Sequence, residues 1–329
     1  MKKTALLLLN IFLVFSYTTT QAQDFSKSDI TFLKYLRKSI YQKLYVPDSL
    51  ISKTIDPETA FPWQGQTFKN SSSIIDSIHA TMKSEKSSEN FSLYGLFPKG
   101  IPQQDCNLFT SKLVSYNLVN EKGEQVQLRN EKFYFYTGQY YRNNDAVRYT
   151  FNIRFTPFIP AKTYKGIVEY EIIAPKDFIV TAITKADIGK TITLNSHVYT
   201  ILAFTKNYIA LKCPDSLKEI DFDFIGTDLA NKKYKQKFTQ EKGYKTALGK
   251  RSFFISEEMY KYYISHPGLT EEELDQYMND YFNRHEGSII TGEAQVLILQ
   301  DIAYIKKMFC YWPNGYTTKR FKETIDLKY

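Results

Sequence analysis

Leu113-Val114-Ser115-Tyr116-Asn117-Leu118 puts Val114, Tyr116 and Leu118 on one side of an extended chain and Leu113, Ser115 and Asn117 on the other. Such alternation marks a strand with two faces, because successive side chains point to opposite sides. Asn120-Glu121-Lys122-Gly123 follows as a hairpin signal, and Val126 and Leu128 resume the period of two. Working outward, Phe133 to Tyr136 and Tyr149 to Phe155 are aromatic, β-rich runs, and Val168, Tyr170 and Ile172 alternate until Pro175. Short strands are expected at 190–194, 198–204, 207–212 and 219–226, then from Ala294 to Leu299, Ile302 to Trp312 and Tyr316 to Ile325. Pro313-Asn314-Gly315 turns the chain between the last two.

Helical spacing appears in three places. Leu33, Leu36, Ile40 and Leu44 predict an amphipathic helix over about 28–44, with Ser26 or Ser28 as cap. Ile74, Ile75, Ile78 and Met82 predict a weaker one to Lys83, capped by Ser73, after an extended Phe61-Pro62-Trp63 connection. Thr270 and Glu273 form a capping box ahead of Leu274, Tyr277, Met278 and Tyr281, and Gly287 supplies a stop.

Many strands with few interspersed helices argue against βαβ units. The expected fold is mainly β: tandem antiparallel β-sandwich (Ig-like) modules with a small N-terminal helical region and one inserted helix near 270–286. The expected organisation is a signal peptide over 1–22, a helical or irregular region over 23–104, one module over 105–175 and a second over 176–329. The break is placed near Pro175 because the strand pattern restarts there.

Composition sets the broad class. The chain has 329 residues, 43% hydrophobic and 24% charged, which excludes disorder for its bulk. It carries 43 Lys and Arg against 35 Asp and Glu, a formal charge of +8. Lys2 and Lys3, the apolar stretch from Ala5 to Phe15, and Thr20-Gln21-Ala22 form a three-part secretory signal cleaved after Ala22. The apolar stretch is too short to span a bilayer, which needs about 20 residues. A bacterial protein secreted to the periplasm or beyond is expected, without a transmembrane segment after cleavage. Export also separates the chain from cytoplasmic nucleic acid. Cys106, Cys213 and Cys310 leave room for one disulfide in an oxidising compartment, with at least one thiol unpaired, and no spacing fits a zinc site. Cys213 closes the alternation Ile209, Leu211, Cys213 and reads as a core residue on a strand.

Local motifs for catalysis are missing: no GxSxG, no HExxH and no phosphate-binding glycine loop. Of the four histidines, His285 ends the inserted helix, where a cation complements the dipole, His266 lies in a loop, and His197 sits in the turn Asn195-Ser196-His197. Asp221, Asp223 and Asp228 resemble a loose calcium pattern, but alternation with Ile220, Phe222 and Phe224 fits a strand with one wet face better. No cofactor or metal is therefore expected.

Two ligand-binding candidates remain. Tyr311, Trp312 and Tyr316 flank the Asn314-Gly315 turn and would stack on sugar rings if exposed, although packing in a β-rich core explains them better. Trp63 is a lesser aromatic candidate. Between Lys232 and Arg251 stand eight bases and one acid, and Lys233, Lys235 and Lys237 would share one face of a strand. Glu257 to Glu286 carries eight acids and two bases, so the two segments either neutralise each other or leave a basic face for an anionic glycan or an envelope protein. The expected function is a non-enzymatic binding or structural module of the cell envelope. The alternative is a carbohydrate-active hydrolase using dispersed carboxylates.

Overall fold

A computed structural model describes residues 27–45, 61–87, 90–129, 134–140, 148–214, 217, 219–228, 230, 232, 237–241, 244–248, 251–285, 295–300 and 305–328. The leader and its cleavage point, Ser26, Gly287, Lys233 and Lys235 lie outside them. The chain divides into two units, one of residues 60–179 with 313–329, the other of 1–59 with 180–312. The passage at 179 and 180 falls a few residues past Pro175. The first helix belongs to the same unit as the later strands, and the last strand to the same unit as the earlier ones.

The unit of 60–179 and 313–329 has a Phe-rich interior: eight of its buried residues are Phe and two are Tyr, so few interior hydroxyls need partners. Strands β1 (Lys83–Lys86), β2 (Phe91–Leu96), β4 (Tyr134–Tyr140) and β5 (Arg148–Phe155) form one antiparallel sheet in the order β1-β2-β5-β4. Strands β3 (Thr110–Val119), β6 (Tyr164–Pro175) and β17 (Tyr316–Leu327) form a second, with β6 in the centre. Phe91 stacks on Phe155 with ring centroids 4.6 Å apart and reaches Tyr164 of the second sheet at 5.0 Å.

Tyr164, Val168, Tyr170 and Ile172 of β6 are fully buried, and the residues between them face outward. The outward side is a charge lattice: Glu169 of β6 pairs with Arg320 at 2.9 Å and accepts from Ser115 at 2.8 Å. Gly166 sits where β6 must pass close to β3. Its φ is +140°, and a Cβ there would run into the Asn117 carbonyl oxygen, so only glycine fits.

Helix α1 (Lys27–Leu44) belongs to the other unit, and α2 (Ser71–Ala80) covers the buried side of β17. His79 stacks on Phe321 at 4.0 Å, and Lys319 pairs with Asp76 at 2.6 Å. The expected Ser73 cap is corrected: α2 opens at Ser71, directly after a 3-10 turn, so Ser73 lies inside it and its carbonyl accepts from Ser77 Oγ. The expected extended Phe61-Pro62-Trp63 connection is a turn, closed by Gln64 N–H on the Phe61 carbonyl at 2.9 Å with the Phe61 and Trp63 rings stacked. A four-residue helix α3 (Gln103–Cys106) precedes β3.

The unit of 1–59 and 180–312 is layered. The chain enters it along β7 (Phe178–Ile183). A hairpin of β8 (Thr191–Leu194) and β9 (His197–Phe204) follows, with Asn195 and Ser196 at positive φ in its turn. With β10 (Tyr208–Lys212), β14 (Arg251–Ile255) and β15 (Val296–Gln300), that hairpin makes a sheet of order β14-β15-β10-β9-β8. Strands β11 (Asp223–Thr227), β16 (Lys307–Pro313) and β7 form a smaller one, and β12 (Lys237–Glu241) pairs with β13 (Tyr244–Leu248).

In β10 and β15 both faces are buried. Ile209, Leu211, Leu297 and Leu299 enter a core shared with Phe224, Met308, Cys310 and Trp312 of the smaller sheet. Tyr208, Ala210, Val296 and Ile298 enter a second core roofed by α1, α4 (Glu257–Ser265) and α5 (Glu271–Arg284). Each fully buried aliphatic side chain contributes about 1.5–3 kcal/mol.

The chain is thus mainly β, with several antiparallel sheets and few helices, as the alternation led one to expect. The inserted helix is α5, which starts one residue later than the expected 270–286 and ends at Arg284. Helix α4 was not expected; Ser256 caps it by accepting from Met259 N–H at 3.1 Å. No described helix is long and apolar enough to cross a membrane.

Candidate functional site

The helical roof is tied down by tyrosine hydroxyls. Eight buried residues of this unit are Tyr and four are Phe, so its interior must satisfy phenols. Tyr41 donates to the His266 carbonyl at 2.8 Å, Tyr45 to the Tyr263 carbonyl at 2.6 Å, Tyr263 to the Arg37 carbonyl at 2.9 Å and Tyr281 to Ser256 Oγ at 2.8 Å. These bonds join α1, α4 and α5.

Helices α4 and α5 are linked by residues 266–270, where Gly268 adopts φ +89°. Thr270 then opens α5 with the expected capping box: Glu273 N–H donates to Thr270 Oγ1 at 3.2 Å, and Glu273 Oε2 accepts from Thr270 N–H at 2.8 Å. Along α5, Glu273, Gln276, Tyr277, Asp280, Asn283 and Arg284 recur at three- and four-residue spacing and share one side. Glu258 and Tyr262 do the same on α4. These eight residues line an open groove of about 740 Å³.

Its aromatic part is a stack. The Tyr262 and Tyr277 rings lie 3.6 Å apart and 2° from parallel, and His266 stacks on Tyr262 at 4.2 Å. Its rim is acidic. Glu258 holds Arg284 at 2.9 Å and His285 at 2.8 Å. The bonds from the Thr270 backbone and hydroxyl keep the Glu273 carboxyl below the usual carboxylate range. Burial, and then the nearby Glu258 charge, push the Tyr277 phenol up. Among the described residues the Tyr277 hydroxyl has no hydrogen-bond partner, although the residue is only 7% exposed.

The acids of α5 do meet lysines, but from an unexpected place. Lys38 of α1 pairs with Asp275 at 2.6 Å and Glu271 at 3.5 Å, and Lys34 donates to Asn279. The basic segment offered from the sequence falls partly outside the described residues. Lys233 and Lys235 lie outside them, and Lys237 opens β12 opposite Leu248, its side chain outside the description.

The aromatic candidates separate. Trp312 and Tyr311 are buried in the layered unit, where Tyr311 donates to Asp223 Oδ2 at 2.7 Å. Tyr316, in the other unit, is exposed. The three therefore make no common exposed platform: alternation along β16 sends Trp312 into the core with Met308 and Cys310, and Tyr311, on the opposite side, is buried against Asp223. Trp63 is partly exposed and occupied by its stack on Phe61.

Asp223 opens β11 and Phe222 and Phe224 are buried, as a strand with one wet side requires; among the described residues no group of three metal-ligating side chains gathers. His79 meets Glu323 at 3.1 Å and His197 meets Asp221 at 3.7 Å. All three cysteines are buried, and burial pushes the thiols of Cys106 and Cys213 up to about 12. Those two are therefore chemically quiet.

The groove itself went unread in the sequence. Its acids read as a charge run, and no helix is expected over α4 from the sequence. The signal was present as Ser256 before Glu257-Glu258 and as the pair Glu258 and Tyr262 one turn apart. In comparisons with known proteins, no family model, curated protein or solved structure matches the chain.

Proposed function

We propose that the protein is an exported, cell-envelope binding module that acts without catalysis. The observation that carries the binding role is the open groove between α4 and α5, where two stacked tyrosines and three carboxylates stand on capped helices fixed to a two-faced sheet. A site on rigid elements is held in place before its ligand arrives, which lowers the ordering cost of association. The three-part leader over Met1 to Ala22 supports export.

The hydrolase reading keeps one supporting observation: carboxylates and aromatic rings do share this groove. A glycosidase needs one carboxyl held protonated near neutral pH, which an apolar pocket provides. Glu273 is drawn the opposite way by its cap, and Glu258 is occupied by Arg284 and His285. Binding is therefore the better supported role.

The test places a photo-crosslinking residue at Gln276 in the full chain and irradiates cells of the native host. Recovery of a discrete adduct in the envelope fraction, on a chain beginning at Gln23, is the expected result. A chain that keeps Met1, or the absence of any adduct, counts against the reading. Turnover of glycosides that Asp280→Asn abolishes would replace it with the hydrolase.

A further inference from the structure

We infer that the groove between α4 and α5 takes one cationic, donor-rich group, the side chain of an arginine or lysine in an exposed segment of a partner protein, with Asp280 as its counter-ion. This rests on the binding reading above and specifies its chemistry.

The polar groups of the groove separate into those already engaged and those left over. Arg284 is held by Glu258 and by the carbonyl of Asp280 one turn back, and Glu273 is held by Thr270. Left without a hydrogen bond or ion pair among the described residues are the Asp280 carboxylate, the Gln276 and Asn283 amides, and the Tyr262 and Tyr277 hydroxyls. The only charge in that set is negative, and every member can accept a hydrogen bond. The groove is locally acidic on a chain whose formal charge is +8, so it selects against the overall field rather than following it.

The Tyr277 hydroxyl is the second and independent sign of a ligand. Each of the four phenols that tie down this roof donates to a named oxygen, and Tyr277 alone among the groove's buried side chains leaves its hydroxyl unpaired. An unpaired buried hydroxyl is destabilising. Glu258 and Arg284, whose charges act on it, line the same groove. Asp280 stands three residues further along the same side of α5, so a donor held there and reaching inward relieves it.

Charge complementarity excludes an anionic occupant. The size and openness of the groove fit a side chain presented on a protein, because the Gln276 and Asn283 amides can also pair with main-chain groups beside the inserted cation. A guanidinium or ammonium brings only donors, so it meets this acceptor-rich set without leaving a polar group unmatched.

The experiment titrates the chain from Gln23 onward with N-acetyl-arginine amide and, separately, with its neutral isostere N-acetyl-citrulline amide, following backbone amide resonances. Saturable shifts confined to α4 and α5 are expected with the arginine probe, with citrulline at least about tenfold weaker. Asp280→Asn, an exposed and nearly isosteric change, is expected to weaken the arginine probe about fivefold, as raised salt should. Tyr277→Phe should weaken it as well while leaving the fold intact. Equal binding of both probes, or unchanged affinity in Asp280→Asn, overturns the cation inference and leaves the binding reading standing. Absence of shifts on α4 and α5 with either probe also overturns the inference, and the binding reading is then decided by the Gln276 crosslink.

Discussion

The two units solve the burial of a central strand in opposite ways. In the unit of 60–179 and 313–329, β6 has a dry side under α2 and a wet side carrying the Glu169 and Arg320 lattice. In the unit of 1–59 and 180–312, β10 and β15 are dry on both sides, one facing the smaller sheet and the other a roof of three helices. The interiors differ accordingly. Phe fills the first with little polar accounting. Tyr fills the roof of the second, and its hydroxyls bond the helices to one another through backbone carbonyls. A sheet covered on both sides leaves no outer surface of its own for a ligand, so the exposed polar and aromatic groups of that unit move up onto the helices. The groove lies there.

The sharpest way to break this comparison is to truncate one residue from each kind of strand. Ile298, fully buried at the centre of β15, should cost about 3–4 kcal/mol as Ile298→Ala. Ile167, 48% exposed on the wet side of β6, should cost under about 0.5 kcal/mol as Ile167→Ala. Urea unfolding of both variants measures the difference, and equal losses would mean that the lattice side of β6 is covered.

Next in size is Gly166→Ala, expected to destabilise by about 3 kcal/mol because its φ is positive and the Asn117 carbonyl blocks a methyl group. Hydrogen exchange should show the lost protection in β3, β6 and β17, while β10 and β15 stay protected.

The tyrosine roof is sharpened by a pair of single-atom changes. Tyr281→Phe leaves Ser256 Oγ without its donor and should cost about 1 kcal/mol. Tyr277→Phe removes a hydroxyl that has no partner and should be neutral or slightly stabilising. Thermal unfolding of the two variants side by side gives the answer, and a larger loss at Tyr277 would reveal a hidden partner.

The smallest effect concerns a second capping box, at Thr184 and Asp187. Lys190, then the Thr184 backbone and hydroxyl, lower the Asp187 carboxyl from 3.8 to about 2. Its folded pKa is below its unfolded one. Its stabilisation is therefore present above about pH 4 and is lost as pH falls toward about 2. Because the pair is at the surface, the effect should stay under about 1 kcal/mol. Acid unfolding of Asp187→Asn should be flatter than wild type over that window.

How much of this was legible follows from what each residue reports about its surroundings. Val168, Tyr170 and Ile172 alternate because β6 has two unlike faces, and that period is visible in any window. Val296-Leu297-Ile298-Leu299 does not alternate, since both neighbours are cores; the run is readable as a strand, but not which core each residue enters. Trp312 and Tyr311 could be core or platform until the smaller sheet is in place, because an aromatic side chain has the same chemistry in either setting. The groove was out of reach for a different reason. It needs Tyr262 and Tyr277 face to face, and that contact is set by the turn at Gly268 and by how α4 and α5 settle on β15, neither of which a local period encodes. The Lys38 pair with Asp275 spans most of the chain and leaves no local trace.

The last strand has a consequence for how the molecule comes into being. β6 pairs along its full length with β17, and β17 follows residues 180–312 of the other unit in the sequence. The other unit in turn waits on β15 and β16 before α1 has a sheet to rest on. During synthesis, therefore, the edge of β6 that β17 covers stays open until residues 180–312 have been made. An open strand edge is a template for pairing with another chain, so that interval is when one copy is most exposed to joining another.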